Sequence, residues 1–354
     1  MSFHPPPTRP PSLLRSWGKF GRFLLRGHGP GLAWWLAQRD AVMRNDYRHV
    51  RRPALVAAWR ADPSWTDLLV GEGRASSRAL GLEFRGDDPV SRGYATWRSL
   101  ALAGWRFEDR GATLLASRDG LTLQLQTEEE EEMIKEIYLR NCYDVRLPGR
   151  WQVVDIGANV GMAALFFARQ PGVERVHSYE PFAPTADGFV ANLSLNPQLA
   201  PKIQLTRLAL GEAAGEITVD YDPALRGSMS LTGLGSWRSE AGATGQKIRI
   251  TVQPASAMLA PVFSGLNGCR LFAKIDCEGS EYGILRELDA SGALAHFSAL
   301  VIEWHSQGPD ELLRILAARG FALQVHPLSP DSQTLGLIYA TRLPPATQVE
   351  PCLP

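Results

Sequence analysis

From residue 151 the chain alternates short apolar runs with helix-length segments, and this rhythm leaves few folds open. Strands buried on both faces read as continuous apolar runs, and parallel neighbours need a crossover of a dozen or more residues, usually a helix. WQVVDIG, VHSYEP, KIQLTRLAL, LFAKIDCEG and SALVIEWH are such runs, with helices expected over Val160–Gln170, Pro184–Leu195 and Pro309–Arg319. The last two runs, FALQVHP and TLGLIYAT, are separated by a turn at Pro330-Asp331. That turn is too short for a parallel crossover, so the final strand is expected to run antiparallel to its partner. The fold class is therefore α/β, a mostly parallel sheet covered by helices. Residues 212–253 interrupt the alternation as an insertion, with strand-like runs at Glu216–Tyr221 and Lys247–Val252 around a Gly/Ser-rich loop.

Upstream the composition shifts. Residues 1–12 are too Pro-rich for regular pairing. Residues 1–60 hold 11 Arg and Lys against Asp40 and Asp46, and the remainder holds 26 against 35, so a basic arm precedes an acidic body in a chain balanced at 37 of each sign. That balance gives no bias towards nucleic acid. LLRSWGKFGRFLLR (13–26) mixes Leu, Trp and Phe with Arg and Lys as interfacial helices do. A helical subdomain is the favoured reading over a membrane contact, because a helix at 32–45 brings Trp34 and Trp35, rings suited to a core. Asp62-Pro63-Ser64 marks a break, followed by a polar stretch rich in Gly and Arg. We expect an N-terminal mixed or helical extension over 1–104 and a main domain over 105–354. The main domain opens with strands at Trp105–Arg110, Ala112–Ser117 and Leu121–Gln126 and a hairpin turn at Asp119-Gly120. Thr127 then caps a helix whose Glu130 completes a capping box, the plain reading of five consecutive glutamates. Four cysteines without C-x-x-C spacing, no apolar run of eighteen and no leader pattern point to a reduced, cytoplasmic protein.

The strongest local signal is Asp155-Ile-Gly157-Ala-Asn159-Val-Gly161 between a strand and a helix, with Glu180 nineteen residues later at the next strand's tip. Glycines let a backbone approach a nucleoside-like ligand at a helix N-terminus, and an acid at that distance accepts bonds from ribose hydroxyls. NAD satisfies the same pattern. Asp155, ahead of the first glycine, and Asn159, inside the loop, favour instead a cofactor bearing an ammonium or sulfonium over a pyrophosphate.

With Glu136-Ile137 and Tyr143 ahead of the sheet, then VVDIGANVG (153–161), YEP (179–181), ANLSLN (191–196), LALG (208–211), KIDCEGSE (274–281) and IEWH (302–305), the chain resembles the FkbM family of methyltransferases over roughly residues 121–341. The resemblance implies a seven-stranded, Rossmann-like sheet and S-adenosylmethionine as cofactor. It also implies a cofactor site at Asp155, Gly157, Asn159, Gly161 and Glu180, with Ala209 near the adenine. It departs at Gln253-Pro254-Ala255, where the family often shows a Leu-Asp pair, and residues 1–110 carry no match.

Ligands of open α/β sheets bind beyond the carboxyl ends of the strands. Asp276 and Glu278 close the fourth strand and Glu303 and His305 the fifth, so all four are expected on the methyl-donor side. Asp276, Glu278 and His305 are the candidate catalytic residues, because an alkyl hydroxyl needs a positioned base to attack a sulfonium. The same groups are also a chemically suitable set for a divalent metal. No ligand-spacing motif supports one, so a metal is not favoured. Lys274 is read as an internal ion-pair partner, Glu281 as a first-turn helix acid, and Asn192 and Asn196 as helix-end caps. The function expected is methyl transfer to a hydroxyl of a sugar, polyketide or related small-molecule or glycan acceptor. The alternatives are N-methylation, or a cofactor-binding module tethered to a membrane or glycan-assembly partner.

Overall fold

The computed structural model describes residues 68–71, 74–77, 82–85, 100–101, 103–110, 113–145, 148–223, 225–231, 246–328 and 334–342. The Pro-rich start, the segment 13–26, the helix expected at 32–45, the break at 62–64 and the Pro330-Asp331 turn lie outside the described residues. Two compact units divide the chain, Met1–Leu114 and Leu115–Pro354. In the first, β1 (Leu68–Gly71), β2 (Arg74–Ser77) and β3 (Leu82–Arg85) form an antiparallel sheet in that order. Three strands thus occupy the stretch whose Gly and Arg content gave only a loop signal. β4 (Arg106–Asp109) follows.

β5 (Leu114–Arg118) and β6 (Leu121–Leu125) form the expected hairpin. Its two turn residues, Asp119 and Gly120, have φ of 50° and 75°, the positive pair that a right-twisted two-residue turn requires. α1 (Glu128–Tyr138) begins with the capping box read from Thr127 and Glu130.

The main sheet has seven strands in the order β15-β16-β14-β13-β7-β8-β9. β7 (Trp151–Ile156) lies between β13 (Arg270–Ile275) and β8 (Val173–Tyr179), both parallel to it. β9 (Ile203–Thr206) extends one side, and β14 (Phe297–His305) extends the other in parallel. β16 (Leu335–Arg342) runs antiparallel to both β14 and β15 (Phe321–Pro327), inserting between them. All six residues of β7 are buried, as a central parallel strand covered on both faces demands. One cover is α2 (Met162–Ala168), whose seven residues are all buried and whose Phe167 ring meets Phe272 of β13 edge-on at 5.3 Å. α3 (Ala183–Ser194) and α6 (Asp310–Ala318) fall where expected, the latter closed by Gly320 at φ 79°.

KIQLTRLAL is not one strand. The Leu208 amide closes on the Thr206 carbonyl at 3.1 Å, which turns the chain out of the main sheet after β9. β10 (Ala209–Gly211) then pairs in parallel with β12 (Gln246–Pro254), which also takes β11 (Gly215–Tyr221) antiparallel. The insertion is therefore a separate three-stranded sheet. α4 (Ala255–Ser264), which carries an internal Pro261, was not legible in the sequence. The fourth run also ends early, because β13 stops at Ile275 and residues 276–279 curl into a turn before α5 (Glu281–Ala290). Among the described residues no helix is long and apolar enough to cross a membrane.

Gly336 tests the packing of the antiparallel end of the sheet. A Cβ there would lie 2.2 Å from the Trp304 ring and 2.7 Å from the His326 carbonyl, and Trp304 is 1% exposed, so neither neighbour has room to retreat. Gly336→Ala is expected to cost about 2–3 kcal/mol of stability in urea titration, the scale of overpacking a rigid core.

Candidate active site

The site begins with a row of side chains across the central strands. Register places Lys274 of β13 beside Asp155 of β7, and Asp155 beside Ser178 of β8. The Lys274 ammonium lies 3.4 Å from Asp155 Oδ1 and 3.4 Å from Asp276 Oδ2, and donates to the Gly157 carbonyl at 2.6 Å. Asp155 is fully buried, so it has no surface to offer a ligand. Its place is the internal ion pair, and with its charge offset by Lys274 it gives no ground for rejecting a pyrophosphate.

The turn after β7 is shaped by protein contacts. Gly157 has φ of 74°, and a Cβ on it would stand 1.8 Å from the Asp276 carbonyl oxygen. Gly161 caps α2 at φ 84°, with the Phe189 ring 2.9 Å from where its Cβ would be. These two glycines therefore admit the close approach of β13's exit turn and of α3. Asn159, at φ 49°, accepts from its neighbour Val160's amide at 2.7 Å and donates from Nδ2 to the Arg226 carbonyl at 3.2 Å. Its own amide donates to Glu180 Oε2 at 2.9 Å.

Glu180, just past β8, accepts that bond and a second at Oε1 from the Phe182 amide at 3.0 Å. It is 4% exposed. Burial pushes its carboxyl up to about 7 against these two bonds. Ala209 is buried at 3%, in a small apolar cluster with Phe182, Tyr221 and Ile250.

The second half of the site lies at the ends of β13 and β14. Asp276, Glu278 and His305 come together as the sequence suggested, with one potential ligand atom from each lying within 4.8 Å of the others. His305 Nε2 is 3.7 Å from Glu278 Oε1 and 3.8 Å from Glu303 Oε1. Tyr143 donates to Asp276 Oδ2 at 3.2 Å, a role its position ahead of the sheet did not disclose. Glu281 is the first-turn acid of α5, and its carboxylate is turned inward. It is fully buried, accepts from the Gly279 amide at 2.8 Å and the His305 amide at 2.7 Å, and holds His305 Nδ1 at 3.1 Å. His305 is itself only 2% exposed, so it stands behind Asp276 and Glu278, whose side chains are 26% and 16% exposed.

Three further groups tie the halves together. Arg226 pairs with Glu130, while Glu129 accepts from the Gly227 amide at 2.5 Å and from the Ser228 hydroxyl. Ser230 donates to the Glu278 carbonyl at 2.6 Å. The glutamate run is thus more than a cap, since two of its acids fasten residues 226–228 beside the Asn159 turn. Asn196 is a helix-end cap, its Nδ2 donating to the Asn192 carbonyl of α3 at 2.7 Å, whereas the Asn192 side chain donates to the Val160 carbonyl at 2.8 Å. Both also bond the backbone of β6, at Thr122 (2.9 Å) and Gln124 (2.7 Å) respectively, joining the hairpin to α3.

Residues 155–323 match the family model of the methyltransferase FkbM domain. That match covers a little under half of the chain. Methyltransferase sdnD of Sordaria araneosa is 32% identical over 104 residues, 29% of this chain and 40% of its own length. AMB antimetabolite synthetase AmbE of Pseudomonas aeruginosa is 30% identical over 121 residues, 33% of this chain but 5% of its own length. Methyltransferase 1 of Beauveria bassiana is 25% identical over 210 residues, 56% of this chain and 83% of its own length. This chain thus spans less than half of the first two relatives. A crystal structure of a methyltransferase FkbM from Methylobacillus flagellatus has a TM-score of 0.40 and 16% identity, covering 72% of this chain and 55% of that one.

Within the site the electrostatics follow from crowding carboxylates round few cations. Burial pushes Glu278 up to about 8 and, with the Asp276 charge, holds Glu303 well above the usual carboxylate range. Burial works the same way on Asp276, but Lys274, His305 and the Tyr143 hydroxyl outweigh it and hold that acid low. For His305, burial opposes the charged form, yet the bond to Glu281 and the charges of Glu278 and Asp276 raise it to about 10. Removing Lys274 would leave Asp155 as an uncompensated charge. Lys274→Met is expected to cost about 3–5 kcal/mol in chemical denaturation, and adding Asp155→Asn to recover a large part of it. Equal stability of the single variant and the parent would show that the ion pair is dispensable.

Proposed function

We propose that the chain transfers the methyl group of S-adenosylmethionine to a hydroxyl oxygen of a small-molecule or glycan acceptor, a sugar, polyketide or related metabolite. The observation that carries this reading is a division of labour along one edge of the sheet. Glu180 ends β8, and Asp276 and Glu278 follow β13, two strands away in the order β13-β7-β8, or about 10 Å.

The residues suit that cofactor. Glu180 is a buried acceptor with no ion-pair partner among the described residues, and each oxygen, having taken one backbone amide, keeps a lone pair for a ribose hydroxyl. When bound, S-adenosylmethionine supplies an electrophilic methyl on a sulfonium. The chain's task is then to align the acceptor oxygen and take its proton. Asp276, ionised and partly exposed, and Glu278 are placed for that, while His305 acts through them as a positioning residue. The free thiols Cys142, Cys269 and Cys277 support a reducing cytoplasm as the setting.

Two measurements test the reading. Ribose hydroxyls donate to the ionised carboxylate, so S-adenosylmethionine affinity is expected to rise about tenfold between pH 6 and pH 8, as Glu180 ionises through about 7. The stability contribution of this raised carboxyl runs the opposite way, fully present below its ordinary value and lost as pH rises through about 7. Glu180→Gln should abolish the pH step and weaken binding by about 1–3 kcal/mol. Calorimetry showing tight NAD binding and no S-adenosylmethionine binding would sink the assignment. Separately, Asp276→Asn and Glu278→Gln should bind the cofactor nearly normally and lose transfer by about a hundredfold. Loss of affinity and turnover together would place these acids in the cofactor site, and analysis of the product separates oxygen from nitrogen methylation.

A further inference from the structure

We propose that Asp276, Glu278 and His305 form a divalent metal site between the ends of β13 and β14. The inference rests on the proposed methyl transfer only for what the metal would do, not for whether it binds.

The donor set is built, rather than merely acidic. Glu281 fixes His305 from behind, taking a backbone amide and the imidazole Nδ1 on one oxygen, at 2.7 Å and 3.1 Å. A carboxylate on one ring nitrogen is the usual support for a histidine that binds metal through the other. That other nitrogen, Nε2, belongs to a side chain 3% exposed and has no hydrogen-bond partner among the described residues. It faces Glu278 Oε1 at 3.7 Å and Glu303 Oε1 at 3.8 Å, both beyond hydrogen-bond reach. Glu278 Oε2 is also buried without a hydrogen bond. On Asp276, Tyr143 and Lys274 both sit on Oδ2, at 3.2 Å and 3.4 Å, which leaves Oδ1 for another partner.

The spacing suits an ion. With metal–ligand bonds of about 2.1 Å, ligand atoms lie about 3.0 Å apart when adjacent and about 4.2 Å when opposed. The three donors lie within 4.8 Å of one another, so an opposed pair closes with about half an ångström of contraction and an adjacent pair with about 1.8 Å at most, within the reach of side-chain rotation. Oxygen ligands with one imidazole suit manganese, zinc or ferrous iron. Sheet logic brings these groups together in the sequence, but no local ligand-spacing motif marks them, because the two halves come from adjacent strand ends nearly thirty residues apart, 276 and 305. Beside the sulfonium, such an ion would orient the acceptor oxygen and favour its deprotonation.

The test titrates the full chain, stripped with chelator, with Mn²⁺ under paramagnetic resonance and calorimetry. S-adenosylmethionine binding is measured in the same samples. One Mn²⁺ per chain is expected, weakened at least tenfold by Glu278→Gln and by His305→Gln while S-adenosylmethionine still binds. Because His305 is buried, Glu281→Gln is the second variant at that position's support, and it should weaken the metal about tenfold or more. Absence of Mn²⁺ and Zn²⁺ binding below millimolar concentration, or affinity unchanged in both Glu278→Gln and His305→Gln, overturns the site. Metal binding without any S-adenosylmethionine binding would leave the site standing and defeat the proposed transfer instead.

Discussion

The arrangement turns on one buried ammonium. Lys274 is 4% exposed, yet within 3.4 Å of its nitrogen lie carboxylate oxygens of Asp155 and Asp276 and the carbonyls of Ile156 and Gly157. A cation in that position is costly to bury and is held only because each neighbour is an oxygen. In return it joins the last turn of β7 to the exit of β13, the two chain segments from which the site grows. The contact that forbids a side chain at Gly157 is the other side of this junction, since the Asp276 carbonyl stands where its Cβ would be. The turn after β7 and the acidic turn after β13 are thus one mechanical unit.

What was legible in the sequence was whatever depends on local pattern. The apolar runs marked all seven strands of the main sheet, and the short link before the last marked its antiparallel direction. The Thr127 cap and the Asp119-Gly120 turn were readable for the same reason, being settled by residues four or fewer apart. What was missed depends on partners distant in the chain. Leu208 looks like a strand residue, and only its bond back to Thr206 shows that the strand has ended. Glu281 has the position of a helix-dipole acid, and its bonds to His305 lie 24 residues away. Asn192 and Asn196 were read against their own helix, whereas their partners in β6 are 68 and 74 residues upstream.

The candidate site repeats this division. Asp276, Glu278 and His305 were found because strands of an open sheet end on one side. Which of them faces outward was not, because exposure is a property of the packed structure. The same holds for Tyr143, which reaches Asp276 across 133 residues, and for Glu129 and Glu130, whose partners at 226–228 come from the insertion. A low-complexity acidic run conceals such a role, since five identical residues carry no indication of which two will be claimed.

Glu278 holds φ of 51°, a backbone state in which only glycine, asparagine and aspartate are comfortable. A glutamate there is retained against its own conformational preference, with the Ser230 hydroxyl fastened to its carbonyl. The residues that would relax the backbone are all too short to bring a carboxylate to the same place. Variation at this position is therefore closed from both directions, by geometry on one side and by reach on the other. A substitution here thus exchanges strain for reach: glycine, asparagine or aspartate relaxes the turn, and each withdraws the carboxylate from where glutamate holds it.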